Sequence, residues 1–186
     1  MNGVELSQYF YETIGKPLLE QQFPALVPRM AVGLAGEGSE CLGFDDTLSQ
    51  DHDWGPAFCI WLEKEDFVQY GAQIQAVYDA LPAEQTGYPA RKYSPTSAGR
   101  VGCLCTQDWY RRYTGQEEGP VTLEQWRRIP EAFLATAGSG IVFSDPLGHF
   151  SAIRSRIQQG YPEDVHNGTC GGYGAGRKPA VTDRYS

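Results

Sequence analysis

Met30-Ala31-Val32-Gly33-Leu34-Ala35-Gly36-Glu37-Gly38-Ser39, followed by Asp51-His52-Asp53 and then Trp54-Gly55-Pro56-Ala57-Phe58-Cys59-Ile60-Trp61-Leu62, decides how the chain reads. Met30 to Ala35 is a short apolar run bounded by glycine, the pattern of a strand buried on both faces, and Ala57 to Leu62 is a second such run. Between them lie a glycine-rich turn and a spacer whose Asp45, Asp46 and Ser49 suit turns and helix caps. In an extended Asp51-His52-Asp53 the side chains alternate. The two carboxylates then share one face, and His52 points away as a packing or supporting residue.

Working outward, Leu6, Tyr9, Phe10, Ile14, Leu18 and Leu19 recur at helical spacing, with Pro17 bending or dividing that segment. Beyond the second strand, Asp66 can cap a helix running to about Leu81, and Pro82 to Gly99 reads as a loop. Val101 to Cys105 is a third strand with Cys103 and Cys105 on one face, most simply core packing, and Asp108 begins a helix ending near Gly115. Trp126, Ile129, Phe133 and Leu134 form one helical stripe after Thr122, stopped by Gly138 and Gly140. The strand Ile141-Val142-Phe143, a turn at Pro146-Leu147-Gly148 and a helix from Phe150 to about Gln159 follow. Interleaved strands and helices place the chain in the α/β (α+β) class.

From Asn167 apolar periodicity stops. The glycines before Lys178 do not make a phosphate loop: the lysine is one position late, Pro179 replaces the hydroxyl residue and no strand precedes it. Residues 166–186 read as a disordered tail or as the remnant of a truncated C-terminal helical domain.

The chain has 186 residues, 41% of them hydrophobic, and a formal net charge of -8. That charge argues against broad nucleic-acid binding, which draws on clustered Lys and Arg, but is compatible with a small phosphorylated ligand held through metal. No apolar run is long enough to span a membrane, and Met1-Asn2-Gly3-Val4-Glu5 is acidic where a signal peptide is basic, so a cytoplasmic protein is the default expectation. The 5 cysteines show no paired CxxC spacing, and reduced thiols are expected.

Metal-dependent nucleotidyl transfer needs backbone amides to grip a triphosphate and carboxylates to hold Mg²⁺ among its oxygens. Gly38 lets phosphate approach the main chain, Ser39 can donate to a phosphate oxygen, and Asp51 and Asp53 supply oxygen ligands after a spacer of 11 residues. This Gly-Ser, spacer, Asp-x-Asp order resembles the polymerase-β-like nucleotidyltransferase superfamily, which includes enzymes that adenylylate aminoglycoside and lincosamide antibiotics. The longer pattern from Gly33 through Asp53 is similar to an uncharacterised bacterial branch of that superfamily, known only as a domain of unknown function. The segment Gly140-Ile-Val-Phe-Ser-Asp145-x-x-Gly148-x-Phe150-x-x-Ile153-Arg154 resembles it too.

The resemblance implies a nucleotidyltransferase-like fold over residues 1–165, a small mixed sheet flanked by helices. It implies an enzyme that moves a nucleoside monophosphate from ATP or another nucleoside triphosphate to a hydroxyl of an unidentified small-molecule or protein acceptor. Gly38 and Ser39 would bind phosphates, Asp51 and Asp53 would hold Mg²⁺, and a third carboxylate, Asp145 or Asp108, would act as base or complete a second metal site. If neither reaches the metal, the alternative is a catalytically incomplete nucleotide-binding, sensing or interaction module. Trp54 lies near enough in sequence to stack on a base. Arg111, Arg112, Arg127 and Arg128 are either a solvated face or a phosphate clamp.

Overall fold

The computed structural model describes residues 2–37, 41, 55–90 and 99–162. Strands β1 (Ala31–Leu34), β2 (Cys59–Leu62), β3 (Gly102–Cys105) and β4 (Ile141–Ser144) form one sheet in the order β3-β2-β1-β4. β1 runs antiparallel to both neighbours, with Gly33 opposite Cys59 and Leu34 opposite Ile141. β2 and β3 are parallel, with Cys59 opposite Gly102 and Leu62 opposite Cys105. Three strands therefore run one way and β1 the other. Where β1 stops and the others begin is the hairpin end of the sheet, because the β1-to-β2 connection leaves and returns there; the opposite edge is the far end.

Two glycines let β4 lie against β1. A Cβ on Gly33 would sit 2.3 Å from the Ile141 carbonyl oxygen. One on Gly140, at φ +68°, would sit 1.9 Å from that of Leu34. Such approach is possible only without a side chain.

Helix α1 (Gly3–Phe10) starts on a capping box between Asn2 and Glu5. The division expected at Pro17 takes the form of a π-helical turn, Tyr11–Gly15, in which the Lys16 N–H donates to the Tyr11 carbonyl. Pro17 then falls in the first turn of α2 (Lys16–Gln22), where its missing N–H costs little. Helix α3 (Lys64–Asp79) begins ahead of Asp66, so that residue does not cap it; its Oδ2 accepts instead from Arg29 Nε at 2.7 Å. Helix α4 (Thr106–Thr114) follows β3 without a loop, placing Asp108 in its first turn rather than at its start.

The single stripe expected after Thr122 is two helices, α5 (Leu123–Arg128) and α6 (Glu131–Ala137). Pro130 separates them: it has no N–H to continue α5, yet it suits the start of α6. Helix α7 (His149–Gln159) closes the described part.

Alternation along β2 feeds two cores. Cys59 and Trp61 face one core with Trp109 and Tyr110 of α4, Trp126 of α5 and Phe150 and Ile153 of α7. Ile60 and Leu62 face the other with Phe10, Leu19, and Ile74 and Tyr78 of α3. The Trp61 ring stacks on Phe150 at 4.0 Å between centroids and meets Trp109 edge-on at 5.6 Å. Such pairs add about 0.5–1.5 kcal/mol beyond area burial. The result is the expected α/β architecture, a small mixed sheet flanked on both faces by helices. No described helix is long and apolar enough to cross a membrane.

Candidate functional site

The hairpin end is framed by the last residues of β1 and by the residues that lead into β2. Gly38, Ser39, Asp51 and Asp53, with His52 and Trp54, lie outside the described residues, as do residues 166–186. The frame to which they are joined, from Glu37 on one side and Gly55 on the other, is described. Antiparallel pairing of β1 and β2 brings both attachment points to this one end.

Glu37 is the acid of that frame. Its Oε1 accepts from Arg112 Nη2 at 3.3 Å and from the Tyr113 hydroxyl at 3.5 Å, and Arg100 Nη2 lies 3.6 Å from its Oε2. Burial pushes the Tyr113 phenol up to about 12, which keeps it a donor at neutral pH. Ser139, in the turn between α6 and β4, accepts from the Gly36 N–H at 3.1 Å; its own hydroxyl proton faces the carbonyls of Thr136 at 2.7 Å and Gly36 at 3.1 Å. The next residue, Gly140, donates its N–H to the Cys41 carbonyl at 3.0 Å.

Arg154 of α7 reaches the same turn, with Nε donating to the Ser139 carbonyl at 3.3 Å and Nη2 to that of Gly140. Burial lowers the pKa of this guanidinium, which remains a cation at neutral pH. Among the described residues, the guanidiniums of Arg100 and Arg112 thus meet at Glu37, and that of Arg154 is bonded to the adjoining α6–β4 turn. The planar donor fork of a guanidinium suits a phosphate group.

The far end is built differently. Strand polarity carries Asp145, which follows the last residue of β4, and Asp108, in the first turn after β3, to this end and away from Glu37 and Gly55. Asp145 accepts the N–H of Gly148 on Oδ1 at 3.0 Å and that of Ser151 on Oδ2 at 2.8 Å, so both its oxygens satisfy the start of α7. Asp108 pairs with Arg111 at 3.1 Å on its own helix. The described geometry makes Asp145 a helix cap and leaves Asp108 on an exposed face.

Sequence reasoning assigned no role to His149, yet it joins two segments at the far end. Its Nδ1 lies 2.6 Å from Glu63 Oε1 and its Nε2 lies 2.7 Å from Glu118 Oε2. With a carboxylate oxygen facing each ring nitrogen, the protonated imidazolium, which donates from both, is the form this geometry favours. Burial alone would lower its pKa, but the bonds to Glu63 and Glu118 outweigh this and hold it above the usual imidazole range. Glu63 also accepts from Gln107 Nε2 at 2.5 Å. With its nitrogens aimed at opposite carboxylates, His149 does not converge with them on a metal. Among the described residues no group of three or more His, Cys, Asp or Glu side chains could hold one.

Two further sequence readings meet the structure here. Arg112, read with its neighbours as a solvated face or a phosphate clamp, is drawn to the hairpin end through Glu37, whereas Arg128 pairs with Glu124 along α5. Burial pushes the Cys103 thiol up to about 12, an inert core position.

Over residues 126–170 the chain matches the sequence model of a family described as a domain of unknown function (DUF4037). That stretch covers α6, β4 and α7, including Ser139, Gly140 and Arg154, and does not reach Gly38–Asp53. No curated protein matches the chain, and no solved structure does.

Proposed function

We propose that the chain is a Mg²⁺-dependent nucleotidyltransferase that uses the hairpin end of its sheet to move a nucleoside monophosphate from a nucleoside triphosphate to an acceptor hydroxyl. The observation that carries this reading is the antiparallel pairing of β1 and β2, which brings Glu37 and Gly55, the described residues on either side of the segment that contains Gly38-Ser39 and Asp51-x-Asp53, to the same end of the sheet. The guanidiniums of Arg100 and Arg112 at that end support it, since they favour a triphosphate over a neutral ligand. Asp51 and Asp53 are hard oxygen donors of the kind Mg²⁺ takes, and with phosphate oxygens they would form its ligand set. When bound, the ion would offset charge on the phosphates and polarise the reacting phosphoryl group. Gly38 and Ser39 would bind phosphate, and Glu37 would hold Arg100 and Arg112 in place. The proposal is tested by titrating the full chain with Mg²⁺-ATP: the wild type binds, and the Asp51→Asn, Asp53→Asn double variant does not. Equal binding by both would sink the assignment.

A second reading, a nucleotide-binding or sensing module without transfer activity, is favoured by one observation. Asp145 and Asp108, the acids proposed to act as base, sit at the far end, and both oxygens of Asp145 already accept backbone N–H groups. It predicts binding without pyrophosphate release. Pyrophosphate formed from any nucleoside triphosphate, with candidate acceptor alcohols present, excludes it.

A further inference from the structure

The residues flanking Gly38-Ser39 are both hydrogen-bonded to a single turn. Gly36 exchanges hydrogen bonds with the Ser139 hydroxyl, and Cys41 accepts from the N–H of the very next residue, Gly140. That turn stands past the C-terminus of α6, where carbonyls lack helical partners and the helix dipole favours a cation. Helix α7 supplies what is missing. Gln158 Nε2 donates to the Gly138 carbonyl at 2.9 Å, and Arg154 donates to those of Ser139 and Gly140. Three successive carbonyls of the turn are thus held from one helix, two of them by one guanidinium.

We propose that Arg154 is a positioning residue for the nucleotide loop: by bridging the Ser139 and Gly140 carbonyls it fixes the turn that holds the backbone on both sides of Gly38-Ser39. The proposal rests on the nucleotide-binding reading for its ligand, and on Gly36, Cys41, Ser139, Gly140 and Arg154 for its geometry. Among the described residues Arg154 makes no ion pair, and its planar fork is committed to two carbonyls. A lysine keeps the charge but offers a single ammonium on a flexible stem in place of the fork. The proposal also joins the two halves of the chain: Arg154 and its turn lie in the 126–170 stretch that matches the family of unknown function, and they act on a loop more than ninety positions earlier in the sequence.

The test compares Arg154→Lys, Arg154→Met and Thr122→Ala in the full chain; the last removes the α5 cap away from the turn and controls for lost stability. Two readouts are taken well below each melting temperature: hydrogen exchange over residues 34–41 with Gly140, and affinity for Mg²⁺-ATP. Both Arg154 variants are expected to speed exchange there by about tenfold or more, while Thr122→Ala does not. Both are expected to weaken Mg²⁺-ATP by about tenfold, the lysine no less than the methionine. Unchanged exchange in Arg154→Met overturns the clamp. Wild-type affinity in Arg154→Lys beside a loss in Arg154→Met overturns positioning in favour of charge alone. A wild-type chain that does not bind Mg²⁺-ATP overturns the nucleotide reading and with it the loop's ligand, while the exchange contrast still decides the clamp.

Discussion

The two ends of the sheet use charge in opposite ways. Among the described residues, at the hairpin end the guanidiniums of Arg100 and Arg112 meet the carboxylate of Glu37, and the backbone of Gly36, Ser139 and Gly140 is held by side chains from α7 and the α6–β4 turn. At the far end the carboxylates are committed to partners: Asp145 to the start of α7, Glu63 and Glu118 to His149, Asp108 to Arg111, and Glu117 to Lys64 and Arg111. A carboxylate whose two oxygens both accept backbone N–H groups is already occupied by its own helix. An aspartate after a strand therefore carries no catalytic weight from its sequence position alone. Which end of the sheet the strand delivers it to, and what it already accepts there, decide its chemistry.

The largest effect should come from breaking the approach on which the hairpin end depends. Gly140→Ala puts a Cβ against the Leu34 carbonyl at φ +68°, and should cost more than about 3 kcal/mol in denaturant unfolding. Gly87→Ala, at φ +80° with open space around its Cβ, should cost only about 1 kcal/mol of backbone strain. Similar costs for the two would show that the close contact with β1 does not matter.

Next in size is Asp145→Ala. It removes the acceptor of the Ser151 N–H and leaves that of Gly148 only the Asp145 carbonyl, and should cost about 1–2 kcal/mol while leaving Mg²⁺-ATP affinity unchanged. Lost nucleotide binding at unaltered stability would break the comparison between the ends and return Asp145 to the site.

The smallest effect is the pH dependence of the His149 clasp. Because its folded pKa is raised above 6.5, the clasp contributes fully below that value and is lost as pH rises through the folded pKa. The half-exposed setting limits the contribution to about 0.5–1 kcal/mol. Unfolding free energies measured by denaturant from pH 6 to pH 9 should fall by that amount in the wild type relative to His149→Gln. Parallel curves would mean that the imidazolium does not hold Glu63 and Glu118 together.

Much of the frame was legible in the sequence. The four strands announced themselves as short apolar runs, which in β1 and β2 reflects burial on both faces, and α3, α4 and α7 were placed by the turn and cap residues that bound them. Pro17 and Pro130 were harder: a proline signals an interruption, but whether it yields a π turn or two separate helices depends on the packing around it. The polarity that carries Asp108 and Asp145 to the far end was not legible, since strand direction follows from pairing and not from the residues themselves. Nor was the clasp, whose Glu63 and His149 lie 86 positions apart. The roles of Gly33 and Gly140 stood in the sequence as motif glycines, but only the β1–β4 contact shows that they serve strand packing.

The measurement that bears most directly on the central claim, that nucleotide chemistry belongs to the hairpin end, is paramagnetic broadening of amide signals by Mn²⁺-ATP added to ¹⁵N-labelled chain. The account predicts that Gly36, Ser139 and Gly140 broaden more strongly than Gly148 and Ser151, and that this pattern vanishes in the Asp51→Asn, Asp53→Asn double variant. Stronger broadening of Gly148 and Ser151 would place the metal nucleotide at the far end and contradict it.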